Sequence, residues 1–89
     1  MATTATAITA GSLQVFLAYA KDAGNWGGSP LVGRGGNVDG GKAERGNLTQ
    51  LKRAGYITTQ VDEGFTWLHF TPAGVVLAHM YGVELYPRQ

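Results

Sequence analysis

The chain has 89 residues, 44% of them hydrophobic and 15% charged, with fourteen glycines, no cysteine and a formal net charge of +1. That length allows one domain over 1–89 with a single small core, because a chain of this size buries only roughly 60 to 65% of its unfolded surface. The composition excludes a disordered chain, the missing cysteines exclude a disulfide framework and a thiolate zinc site, and no apolar run reaches the roughly 20 residues that span a bilayer.

Residues 1–8 are rich in Ala and Thr without a periodic pattern, and they read as a flexible tail unless Ile8 docks. The opening MATTATAITAG lacks the basic head of a signal peptide, so the expectation is a soluble, cytoplasmic protein with no membrane partner. Leu13, Phe16, Leu17 and Ala20 recur at helical spacing, which predicts a helix over 10–23 with Gly24 and Asn25 as its stop. The stretch GNWGGSPLVGRGGNVDGGK then holds eight of the fourteen glycines and cannot sustain a helix. It reads as a loop anchored by Trp26 and Leu31, with a short extended piece at Leu31 and Val32.

A second helix is predicted over 42–54. Leu48 and Leu51 set its buried direction, and Gly55 stands beyond its end. On the far side of the wheel lie Lys42, Gly46, Thr49, Gln50 and Arg53, flanked by Arg45 and Lys52. YITTQV, the turn residues DEG and FTWLHFT follow as a β-hairpin. Its register is decided by hydrophobicity, since a slip of one residue turns every side chain over. An even loop sets Val61 opposite Thr66 and gathers Ile57, Thr59, Val61, Thr66, Leu68 and Phe70 on one face; a three-residue loop would mix Trp67 and His69 with Ile57. The even register turns Trp67 and His69 away from the main core, beside Thr58 and Gln60. TPAGVVLAHMYG predicts a third helix, with Thr71 as N-cap, Pro72 at its first position, apolar Val75, Val76, Ala78 and Met80 along it, and Gly82 as its stop. The tail VELYPRQ is apolar enough at Val83, Leu85 and Tyr86 to pack back. There is no internal repeat and no linker.

In this order of elements, LTQLKRAGYITT and WLHFTPAGVVLA resemble the winged-helix transcription regulators of the MarR and PadR families. Leu51, Gly55 and Ile57 match the end of the recognition helix and the entry to the wing, and Phe70, Thr71 and Gly74 match the step into the next helix. The resemblance covers about 41–80. It implies a small α+β winged-helix domain of three helices with a β-hairpin wing, and a recognition helix at 42–54 that enters the major groove of double-stranded DNA. Two features depart from the pattern: a glycine-rich loop stands where a further helix precedes the recognition helix, and the wing tip carries Asp62 and Glu63.

Charge is segregated to match. Between Arg34 and Arg53 the net charge is +3, and the rest of the chain carries −2. Lys42, Arg45, Thr49, Gln50 and Arg53 have the chemistry of a DNA-reading face, with Arg34 and Lys52 for phosphates. The plainer reading is a solvated helix face. Glu44 complements the helix dipole. Phe65, Trp67 and His69 form an alternative protein interface, unless the N-terminal segment or the tail covers them. GNVDGGKA approaches a P-loop, but Ala43 stands where a magnesium-ligating hydroxyl is needed. His69 and His79 have no partners at metal spacing, and no nucleophile or paired-carboxylate pattern is present. The expectation is a non-enzymatic protein without cofactor or metal, a monomer or weak homodimer, acting as a regulator or accessory factor.

Overall fold

The Thr9 side chain accepts a hydrogen bond from the Ser12 backbone N–H at 3.1 Å and so starts the first helix where the sequence turns periodic. In the computed structural model, which describes residues 8–33, 36–38 and 44–85, α1 spans Ala10–Asp22 and runs on into a 3₁₀ turn, Ala23–Trp26. The strand β1, Leu31–Val32, falls at the predicted extended piece. Then come α2, Glu44–Arg53; β2, Ile57–Asp62; β3, Phe65–Phe70; and α3, Pro72–Met80. Residues 1–7 of the predicted tail lie outside the described residues, as do Arg34, Lys42 at the predicted start of the second helix, and Tyr86. Ile8 does dock, packing half-buried against the core.

The described residues form a small α+β fold with three α-helices and a three-stranded antiparallel sheet of order β1-β3-β2. The hairpin has the even register: Val61 pairs with Thr66, Thr59 with Leu68 and Ile57 with Phe70. Leu31 pairs with Trp67 and Val32 with Thr66 on the other edge of β3. One face of the sheet, through Ile57 and Leu68, meets Phe16 and Tyr19 of α1 and Leu48 and Leu51 of α2 in the main core. Phe16 stands edge-on to Phe70 with centroids 5.6 Å apart. Each fully buried side chain of this set contributes about 1.5–3 kcal/mol through burial.

α2 closes in a Schellman arrangement, with Tyr56 N–H returning to the Leu51 carbonyl and Gly55 N–H to that of Lys52. Thr71 caps α3 as predicted, accepting from Gly74 N–H at 3.0 Å. Its hydroxyl also donates to the Gly55 carbonyl, and its backbone N–H donates to the Tyr56 carbonyl at 3.1 Å. The start of α3 is thereby fastened to the turn after α2. Along α3 only Gly74 and Ala78 are buried, whereas Val76 and Met80 are 59% and 72% exposed. Val83 and Leu85 pack back against the core. Among the described residues no helix is long and apolar enough to cross a membrane.

Candidate nucleic-acid interface

α2 is held by its inner edge, and its outer edge is left open. Tyr19, fully buried on α1, donates its hydroxyl to the Glu44 carboxylate at the start of α2. Burial first, and then this carboxylate, push the Tyr19 phenol far above its ordinary value, so it stays a donor. Glu44 therefore joins two helices as well as standing in the first turn, where the dipole favours it. Near the other end of α1, the Ser12 hydroxyl donates to Asn47 Oδ1 at 3.1 Å, and Thr9 N–H donates to Gln50 Oε1 at 2.7 Å. These bonds set the rotation of α2 about its axis.

That rotation exposes Arg45, Lys52 and Arg53 to solvent. Their charged ends have no ion-pair or hydrogen-bond partner among the described residues. Arg45, Gly46, Thr49, Gln50 and Arg53 line one open depression of about 560 Å³. The fold thus brings together five of the seven predicted DNA-binding residues on or beside one helix face, counting Lys52; Arg34 and Lys42 lie outside the described residues. Two of the five also have local bonds. The Thr49 hydroxyl donates to the Arg45 carbonyl at 2.9 Å, and Gln50 spends its oxygen on Thr9. Gln50 is half-buried at the margin of the face, with its amide N–H groups left to offer.

The alternative interface is arranged differently. Phe65 at the hairpin tip is 49% exposed, while Trp67 and His69 are half-buried on the outer face of the sheet. Their cover comes from neither the N-terminal segment nor the tail, as far as these are described, but from the loop after α1. Trp26 meets Trp67 edge-on with centroids 5.7 Å apart, and Ser29 bonds His69 Nδ1 at 2.9 Å. The Gln60 side-chain oxygen lies 3.2 Å from His69 Nε2, so Nε2 carries the proton and Nδ1 accepts from the Ser29 hydroxyl. Ser29, His69 and Gln60 follow the order of a nucleophile, base and orienter. A neutral amide in the third place supplies no charge to stabilise an imidazolium, and Ser29 is buried, so we read the chain of bonds as a clamp on the loop.

The loop is knit further by Asp22, buried at the end of α1. Its Oδ1 accepts from the side-chain amides of Asn25 and Asn37 at 2.8 and 2.9 Å, and its Oδ2 accepts from Trp26 Nε1 at 2.8 Å. Burial raises the Asp22 pKa, but the three donors outweigh it and hold the carboxyl below the ordinary aspartate value. Sequence reasoning missed this knot. The signal that could have found it is the pairing of Leu31 with Trp67, which brings Trp26, five residues upstream, to the same face. Among the described residues no group of three or more His, Asp or Glu could hold a metal ion. No protein-family model, no curated protein and no solved structure matches this chain.

Proposed function

We propose that this chain is a non-enzymatic, double-stranded-DNA-binding domain of the winged-helix kind, a regulator or accessory factor that lays α2 in the major groove. One observation carries the reading: Arg45 and Arg53 line a depression on the exposed side of a helix whose other side is fixed to the core, Lys52 is exposed on the same helix, and none of the three has a partner among the described residues. The ten residues of α2 make a helix about 15 Å long, and its diameter of about 10–12 Å with side chains is what a major groove about 12 Å wide admits. Cations without internal partners release counterions when they meet phosphate, and Thr49 and the Gln50 amide supply donors for base edges. The step from Thr71 to Gly74 and the hairpin after Gly55 support the winged-helix form. Arg34 and Lys42 add charge to the same region of the sequence.

The test is an amide titration by NMR with a duplex of about 16 base pairs, one and a half helical turns, at low and moderate salt. Shifts confined to α2 and lost with salt support the proposal; unmoved α2 amides at low salt remove it. A second reading, a protein-interaction module using Phe65, Trp67 and His69, is favoured by the apolar exposure at the hairpin tip, where Val61 is 70% open. Iodide quenching of Trp67 in a Trp26→Phe background measures how much of that ring a partner can reach, and a protected ring counts against this reading.

A further inference from the structure

On the face of the sheet turned away from the helical core, Trp26, Ser29, Gln60, Asp62, Trp67 and His69 line a pocket of about 330 Å³, at the small end of the range for ligand sites. We infer that this pocket binds an alkylammonium cation.

Two indole rings inclined at 69° both line the pocket, and an indole face is the strongest aromatic partner for a cation. Asp62 adds a carboxylate to the same lining. Among the described residues it has no ion-pair or hydrogen-bond partner, and none that line the pocket is a Lys or Arg. Glu63 follows it at the tip, so among the described residues the charge at this end of the hairpin is negative. The walls are set before any ligand arrives: Asp22 holds the Trp26 indole N–H, and Ser29 and Gln60 hold both His69 nitrogens. An anion would meet the Gln60 amide and Trp67 indole donors but also the repelling Asp62 carboxylate. A neutral apolar ligand would gain nothing from the Asp62 carboxylate. A cation with a methylated, weakly hydrated surface matches both the indoles and the carboxylate.

This site is independent of the DNA-reading face, because α2 packs on the opposite side of the sheet through Leu48 and Leu51. The probe is choline, compared with its uncharged carbon isostere in which a tert-butyl group replaces trimethylammonium. Both are titrated into the intact chain while the two indole N–H resonances are followed. The expected result is saturable movement of the Trp26 and Trp67 resonances, with α2 unmoved and the isostere binding roughly 3- to 30-fold more weakly. Asp62→Asn, at an exposed position, is expected to keep the fold and weaken choline several-fold. A third arm uses a short peptide with one trimethylated lysine: tighter binding than choline assigns the cation to a protein partner, and equal or weaker binding assigns it to a free small molecule. No saturable indole shift, equal binding of the isostere, or an Asp62→Asn variant that binds choline unchanged would overturn the inference.

Discussion

Glu63 is the one described non-glycine residue with positive φ, at 53°, and Gly64 follows at 83°. Positive φ at both central residues is the pattern of a type I′ turn, which a two-residue hairpin between Asp62 and Phe65 requires. Glycine takes that conformation freely, but a glutamate is strained by its Cβ. Glu63→Asn is therefore expected to stabilise the fold by about 0.5–1 kcal/mol, read as a higher urea midpoint with unchanged slope. Asp22 works in the opposite sense, because its present form is already the stabilising one. Its carboxyl is held below the ordinary aspartate value, so its contribution is complete above that value and is lost as pH falls through the lower, folded-state value. In Asp22→Asn three donors face an amide that can accept only at its oxygen. That variant is expected to lose about 1–3 kcal/mol at neutral pH, and its acid limb should be shallower than that of the parent in parallel denaturation curves.

At the scale of elements, the joint between the hairpin and α3 depends on close approach. A Cβ built at Gly74 would stand 2.1 Å from the Tyr56 carbonyl oxygen, which is backbone and cannot swing aside. Gly74→Ala must push α3 away from the turn after α2 and strain the Thr71 cap, at an expected loss of about 2–3 kcal/mol. Thr71→Ala leaves the space intact and should lose about 1–2 kcal/mol from the cap alone, so thermal melts of the two variants separate packing from capping. The cap of this joint was legible in the sequence as Thr71 and Pro72, because caps are local chemistry; Gly74 was legible only as a step of the winged-helix resemblance, and its approach to Tyr56 was not. The hairpin register was legible for a related reason: only one pairing puts Ile57, Leu68 and Phe70 on a common face. Elsewhere the local signal ran out. α3 is apolar nearly all round, so its wheel gave no direction, and Val76 and Met80 proved open to solvent. The glycine-rich loop has no periodicity, and its path over Trp67 follows from the non-local pairing of Leu31. In the candidate site, the cations of α2 were legible as a stripe on a wheel. The bond from Thr9 to Gln50 links residues 41 apart in sequence, and helical spacing alone does not reveal it.

Across the molecule, two surfaces among the described residues differ in chemistry: cations on α2, and indoles with a carboxylate behind the sheet. Only the first can give the salt dependence that DNA binding demands. Each phosphate neutralised adds about −0.9 to the slope of log affinity against log salt. Lys52→Ala, which removes an exposed cation of α2 with no partner among the described residues, is expected to weaken all duplexes alike and to flatten that slope by about 1. Arg53 lines the depression itself, so Arg53→Ala should weaken a preferred duplex more than an arbitrary one, by about 1–3 kcal/mol if the guanidinium meets a base edge. Gln50→Ala needs a control that the others do not. Losing the acceptor for Thr9 N–H is expected to lower stability by about 1 kcal/mol, and affinity must be compared at equal folded fraction. After that correction, a discrimination defect in Gln50→Ala places its amide N–H groups on bases, and unchanged discrimination leaves it as a brace for α1. Fluorescence anisotropy over a salt series, on paired duplexes and all three variants, separates these outcomes; slopes identical to that of the parent would remove α2 as the DNA-binding face.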